Sequence, residues 1–136
     1  MKILFVCKSN VGRSQMAEAI FNKLTKKHST KSVGINPGKW EGKSLSETIY
    51  VGPVLKEIGI NADEKKSKKI TENDVNGSDK IIVIGVDKKS WPSYLSKSEK
   101  VEYWDIEDPA HGDIKVHREV RNKIQKRVEE LIKILE

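Results

Sequence analysis

The chain opens with the apolar run Ile3-Leu4-Phe5-Val6, in which no polar residue alternates. Such a run fits a strand buried on both faces, as in a parallel sheet covered by helices. From Ser14 the period lengthens. Met16, Ile20 and Leu24 recur every four residues, and Ala17, Ala19 and Phe21 widen the stripe, which predicts a helix. A weaker strand is predicted over 31–35, ended by the turn Asn36-Pro37-Gly38. Between Ser46 and Gly59 the apolar positions Ile49, Tyr50, Val54, Leu55 and Ile58 predict a second helix with Gly59 as C-terminal cap. Its start is open, with Pro53 a good first-turn residue. Residues 80–86 are the clearest strand, rich in β-branched side chains and placed centrally. A short helix over 87–95 and a strand over 100–104 follow. A long helix from about Asp113 carries the ridge Val116, Val120, Ile124, Val128, Leu131, Ile132 and Leu135.

Strands that alternate with helices predict an α/β fold: a four-stranded parallel sheet flanked by helices on both faces. At 136 residues the chain is expected to form one domain, 1–136. The longest apolar stretch, Ile81 to Val86, falls far short of the roughly 20 residues of a membrane span, so no membrane partner is expected. The apolar run at the N-terminus stops at Cys7-Lys8, too soon for a signal peptide, and the expected compartment is the cytoplasm. A net charge of +6 favours anionic partners. The basic residues are nevertheless scattered, and the one modest run, Lys65-Lys66-Ser67-Lys68-Lys69, reads as a solvated face, so nucleic acid is not expected as a partner.

Cys7 is the only cysteine, which excludes an intramolecular disulfide and any multi-cysteine metal site. An isolated cysteine is usually a small buried hydrophobe. Its setting here argues otherwise. Ligands of parallel sheets bind at the carboxyl ends of strands, and there the chain reads Cys7-Lys8-Ser9-Asn10-Val11-Gly12-Arg13-Ser14. A loop of that length entering a helix can curl its amides around an oxyanion, aided by the helix dipole. Gly12 offers backbone freedom, and Asn10 tolerates left-handed geometry. The dipole, Arg13 and Lys8 all favour thiolate over thiol at Cys7, and Ser14 can donate a hydrogen bond to the sulfur. Arg13 offers a planar fork for two phosphate oxygens and is the only arginine in the first 117 residues. His28, His111 and His117 show no metal-ligand spacing and are expected at the surface, so neither a metal nor another cofactor is predicted.

Cysteine, five residues and Arg-Ser between a first strand and a first helix resemble the signature of the low-molecular-weight protein tyrosine phosphatase and arsenate reductase superfamily. Ser32-Val33-Gly34, Lys56 to Ile60 and Asp108-Pro109 extend the resemblance over nearly the whole chain. The resemblance implies Cys7 as the nucleophile of a phosphocysteine intermediate, Arg13 as phosphate clamp, Ser14 as thiolate stabiliser and Asn10 as brace of the loop. It implies Asp108 as general acid, with Asp105 and Glu107 as competitors for that role. Without the loop, Asp108 would read as a helix cap. Trp40 and His111 are candidates for the substrate cleft.

Two departures shape the functional reading. Ala110-His111 follow Asp108-Pro109 where the family's phosphotyrosine phosphatases usually carry aromatic residues. Ala110 and the segment Arg13 to Glu18 instead resemble the arsenate reductase branch. A self-contained thiol relay needs two further cysteines, which this chain lacks. Three classes therefore compete: a hydrolase of aryl phosphates, chiefly protein phosphotyrosine; a single-cysteine arsenate reductase using an external thiol; and a non-catalytic binder of phosphate, arsenate or phosphopeptides. The hydrolase is favoured, because it alone gives Asp108 a clear task.

Overall fold

The computed structural model describes all residues, 1–136. Four parallel strands form one sheet: β1 (Lys2–Cys7), β2 (Ser29–Gly34), β3 (Lys80–Ile84) and β4 (Val101–Trp104), in the order β2-β1-β3-β4. The apolar runs Ile3 to Val6 and Ile81 to Ile84 divide by period two. Ile3, Phe5, Ile82, Ile84 and Trp104 enter a core on one face, beneath α1 (Arg13–Leu24), α2 (Val51–Lys56) and α5 (Ile114–Leu135). Leu4, Val6, Ile81 and Val83 enter a second core beneath the short helices α3 (Glu72–Asn76) and α4 (Ser93–Ser96). Burial on both faces explains why these strands show no polar alternation.

The chain leaves β1 for β2 on one side and later crosses to β3 on the other, so the end of β1 is a switch point of the sheet. Crevices of such sheets open there. Cys7, the last residue of β1, stands at that point.

Several boundaries differ from the sequence pattern. Helix α2 begins at Val51, two residues before Pro53, and its first backbone bond runs from the Val54 amide to the Tyr50 carbonyl. Proline is tolerated there because amides in a first turn have no intrahelical acceptor. The helix closes as its glycine predicts: Gly59 has φ +81°, Ile60 N–H donates to Leu55 O, and Gly59 N–H donates to Lys56 O. Strand β3 stops at Ile84 because Gly85, at φ +63°, turns the chain out of the sheet. The helix expected over 87–95 is broken by Pro92 into a 3-10 turn, Lys88–Ser90, and α4. Helix α3 has no apolar period to announce it; only Val75 of it is buried, and Thr71 and Asp74 hold it by a reciprocal capping box.

Candidate active site

Between β1 and α1 the chain forms the loop Cys7 to Ser14. Its carbonyls are engaged from outside. Ile35 N–H donates to Cys7 O at 2.9 Å, Asn36 N–H to Lys8 O at 2.9 Å, and the Ser67 hydroxyl to Ser9 O at 2.7 Å. The amides of Lys8 to Gly12 donate to no protein acceptor. With carbonyls tied outward and amides unspent, the loop has the donor inventory of an anion cradle. Asn10, not Gly12, adopts the left-handed conformation, with φ 57°. Gly12 has φ −140°, and a Cβ there would meet nothing within 4 Å. Gly34 is the glycine the loop needs, because a Cβ on it would lie 2.7 Å from Lys8 O.

A buried chain of side chains fixes the direction of the bond to the sulfur. The Lys68 amide donates to Asn10 Oδ1 at 2.9 Å, which identifies that atom as the oxygen. Asn10 Nδ2 therefore donates, to Ser14 Oγ at 2.7 Å and Ser32 Oγ at 3.0 Å. Ser32 in turn donates to Glu18 Oε1 at 2.9 Å. Ser14 Oγ, already an acceptor, is left to give its proton to Cys7 Sγ, 3.0 Å away. The loop from Lys65 to Lys69, expected as a solvated face, instead backs this arrangement. Ser67 and the Lys68 amide bind the loop directly, and burial lowers the pKa of the Lys68 amine despite the opposing charge of Glu18.

Arg13 is buried, 4% exposed, at the start of α1. Its Nη1 donates to Gly85 O and Ile106 O, both at 3.0 Å, and Nη2 stands 3.6 Å from Asp108 Oδ2. Gly85 makes this seat available: a Cβ there would fall 1.9 Å from Arg13 Nη1 and 2.2 Å from Ile106 O. Nothing in the spacing of the sequence marks Gly85, since the contact joins residues 72 positions apart.

Asp108 does not cap the last helix. Asp113 does, accepting from the Val116 amide at 3.1 Å, while Asp108 Oδ1 accepts from Ala110 N–H at 2.9 Å and leaves Oδ2 facing Arg13. The competing carboxylates are placed elsewhere. Glu107 pairs with Lys123 at 2.7 Å, a hydrogen bond that holds its carboxyl below the usual range, and neither Glu107 nor Asp105 lines the cleft.

The cleft above the loop has a volume of about 310 Å³. Its floor is Cys7, Lys8, Ser9, Val11, Gly12 and Arg13; Trp40 and residues 47–51 form one wall, and Asp108, Pro109 and Ala110 another. Asn10 and Ser14 lie beneath, fully buried. Of the two further cleft candidates, Trp40 lines the site and His111 does not. His111 is exposed in the turn closed by Gly112 N–H on Pro109 O. The histidine of the cleft is His117, buried rather than at the surface: its ring is 5.0 Å from that of Tyr50 and its Nδ1 donates to Asp113 O at 2.8 Å. The predicted helix start at about Asp113 puts His117 one turn into α5, but only the contact with Tyr50 across the fold shows that it faces the cleft.

Comparison with known proteins agrees with this geometry. Residues 2–136 match the low molecular weight phosphotyrosine protein phosphatase family. The chain belongs to that family. Over 132 residues it is 30% identical to a glutaredoxin arsenate reductase of Synechocystis sp., covering 96% of this chain and 95% of the relative. Its fold is that of an arginine phosphatase of Geobacillus stearothermophilus (TM-score 0.82, 26% identity, 98% and 92% covered). A low molecular weight protein tyrosine phosphatase of T. tengcongensis is as similar (TM-score 0.81, 29% identity, 98% of each chain covered). No helix is long and apolar enough to cross a membrane.

Proposed function

We propose that this protein is a cysteine-dependent phosphomonoester hydrolase acting on aryl phosphates, with protein phosphotyrosine as the substrate class. The observation that carries the reading is one cleft holding Cys7 with a hydroxyl donor on its sulfur, a seated Arg13, and the carboxylate of Asp108. The Cys7 thiolate attacks phosphorus, the P–O bond breaks, and the leaving oxygen takes the proton of Asp108. Water then attacks the phosphocysteine and gives a proton to the Asp108 carboxylate. The S–P bond breaks, releasing phosphate and restoring the thiolate. Charge on the transferring group is met by Arg13 and the loop amides, and such contacts matter most when the transition state is loose. Val11 in the floor and Trp40, Ile49, Tyr50, Pro109 and Ala110 in the walls offer surfaces suited to an aromatic ring. The cytoplasm, a reducing compartment, suits a free catalytic thiol.

Asp108→Asn tests the acid role. The kcat/KM, which reports phosphocysteine formation and not the later hydrolysis common to both substrates, should fall by about 10²–10⁴-fold for phenyl phosphate, whose phenol leaves poorly, and much less for 4-nitrophenyl phosphate, which needs little protonation. Equal losses on both substrates would remove Asp108 from that role.

A second reading, arsenate reduction, is favoured by the similarity to arsenate reductases. There arsenate would condense with Cys7, and an external thiol would attack the sulfur, leaving a mixed disulfide and releasing arsenite as arsenic takes up two electrons. That thiol must reach a sulfur whose residue is only 3% exposed, and Asp108 has less to do.

A further inference from the structure

A second groove, about 530 Å³, opens beside the cleft. It shares Lys8, Arg13 and Asp108 with the cleft and none of its apolar wall; Asn36, Lys69 and Asp87 add polar lining. A substrate held by its phosphate in the loop would therefore meet a second neighbourhood beside the cleft, in which Ile35 and Val86 adjoin the polar Asn36, Lys69, Asp87 and Ser90.

The groove carries three cations, Lys8, Arg13 and Lys69, against two carboxylates, Asp87 and Asp108. Asp108 lies near Arg13, and Asp87, whose Oδ1 accepts from the Lys89 amide at 3.0 Å, has no ion-pair partner. The ammonium groups of Lys8 and Lys69 form no ion pair, every salt bridge of the structure joining other residues. Neither ammonium takes part in a hydrogen bond; the bonds from this side of the site to the loop run through Ser67 and Lys68. Their backbones are nevertheless well fixed against the end of β2. Asn36 N–H binds Lys8 O, and Lys69 bridges Gly34 while Ile70 N–H binds Gly34 O. Two exposed, unpaired cations on anchored backbone thus stand at the edge of the phosphate loop.

We propose that this groove is a subsite for an acidic side chain next to the phosphorylated residue of a peptide, with Lys69 as its specificity-determining cation and Lys8 between it and the phosphate. The proposal deepens the phosphatase reading and rests on it for the placement of the phosphate. Electrostatic attraction of this kind should favour acidic phosphopeptides over neutral ones and weaken as salt screens it.

The test uses one phosphotyrosine peptide sequence with flanking Asp, Asn or Lys, and phenyl phosphate as the substrate without flanks. Wild type should show kcat/KM about two- to fivefold higher for the Asp peptide than for the Asn peptide at low ionic strength, the size of one exposed ion pair. Lys69→Gln should abolish that ratio, Lys69→Glu should turn it toward the Lys peptide, and Lys69→Arg should keep it. All three should leave phenyl phosphate turnover unchanged. An equal rate on Asp and Asn peptides in wild type, or the same ratio in Lys69→Gln, would overturn the subsite. Binding of the same peptides to the Cys7→Ser protein, read by fluorescence anisotropy, separates this claim from hydrolysis. Lys69-dependent preference for the Asp peptide without turnover in wild type would refute the phosphatase and keep the subsite, whereas turnover without preference would do the reverse.

Discussion

Ser14 and Gly85 act on the two charged groups of the site from opposite sides. Ser14 directs its only proton at Cys7 Sγ because Asn10 already occupies its oxygen. Removing a hydrogen bond to an ionised group costs about 1.5–3 kcal/mol, so Ser14→Ala should slow phosphocysteine formation roughly ten- to a hundredfold. Iodoacetamide should alkylate Cys7 more slowly in the variant than in wild type at one pH; an unchanged rate would sever the link between Ser14 and the sulfur. Gly85→Ala should do more damage than its backbone geometry explains. A left-handed residue with a Cβ costs roughly 1–2 kcal/mol wherever it stands. Gly42, at φ +84° with nothing within 4 Å of a Cβ placed on it, supplies the comparison, whereas the same atom on Gly85 meets Arg13 Nη1. Both alanine variants should lose similar backbone stability, and only Gly85→Ala should lose phosphate affinity as well, as isothermal titration with inorganic phosphate would report. Cys7, Arg13 and Ser14 are legible in the sequence because their spacing along one loop is local. Gly85, Ser32, Glu18 and His117 are not, because each reaches the site through a contact across the fold.

Among the elements, α2 and α5 frame the wall of the cleft and are joined by Glu57. Arg118 binds both of its oxygens at 2.9 and 3.0 Å, and Arg121 Nη1 lies 2.6 Å from Oε1. The hydrogen bond from Arg118 is foremost in holding the Glu57 carboxyl below its ordinary value, with Arg121 adding to it against the opposing effect of burial. A carboxyl lowered in the folded state stabilises the fold above its unfolded pKa of about 4.5 and loses that contribution as pH falls through the folded value. Urea unfolding of Glu57→Gln should accordingly show a weaker loss of stability between about pH 5 and about pH 3 than wild type; parallel curves would deny the linkage. Strands and long helices are readable from period alone, because β1 and β3 bury both faces and α5 buries a continuous stripe. The short elements are not. Helix α3 has one buried residue, so its signal is Thr71-x-x-Asp74 capping rather than periodicity, and α4 is hard to separate from the preceding turn because only Pro92 divides an otherwise helical stretch.

At the scale of the whole molecule, the sheet brings distant segments to the end of β1, and the cleft is assembled from the first loop, Trp40 with residues 47–51, Asp108 to Ala110 and the start of α5. Trp40 is a cleft candidate from the sequence, whereas nothing local in His117 reveals that it faces the same cleft; the topology does that. The same assembly explains why family membership leaves the chemistry to be decided. A cradle for a tetrahedral oxyanion serves phosphate and arsenate alike, and what separates the two reactions is whether Asp108 and water, or an external thiol, completes the cycle. The most direct measurement is phosphate release from phenyl phosphate beside arsenite release from arsenate, each with and without glutathione and glutaredoxin, in wild type and Cys7→Ser. A cysteine-dependent phosphatase should release phosphate without any thiol and lose that activity entirely in Cys7→Ser. Arsenite release that requires thiol and Cys7, with no hydrolysis of the aryl phosphate, would contradict it.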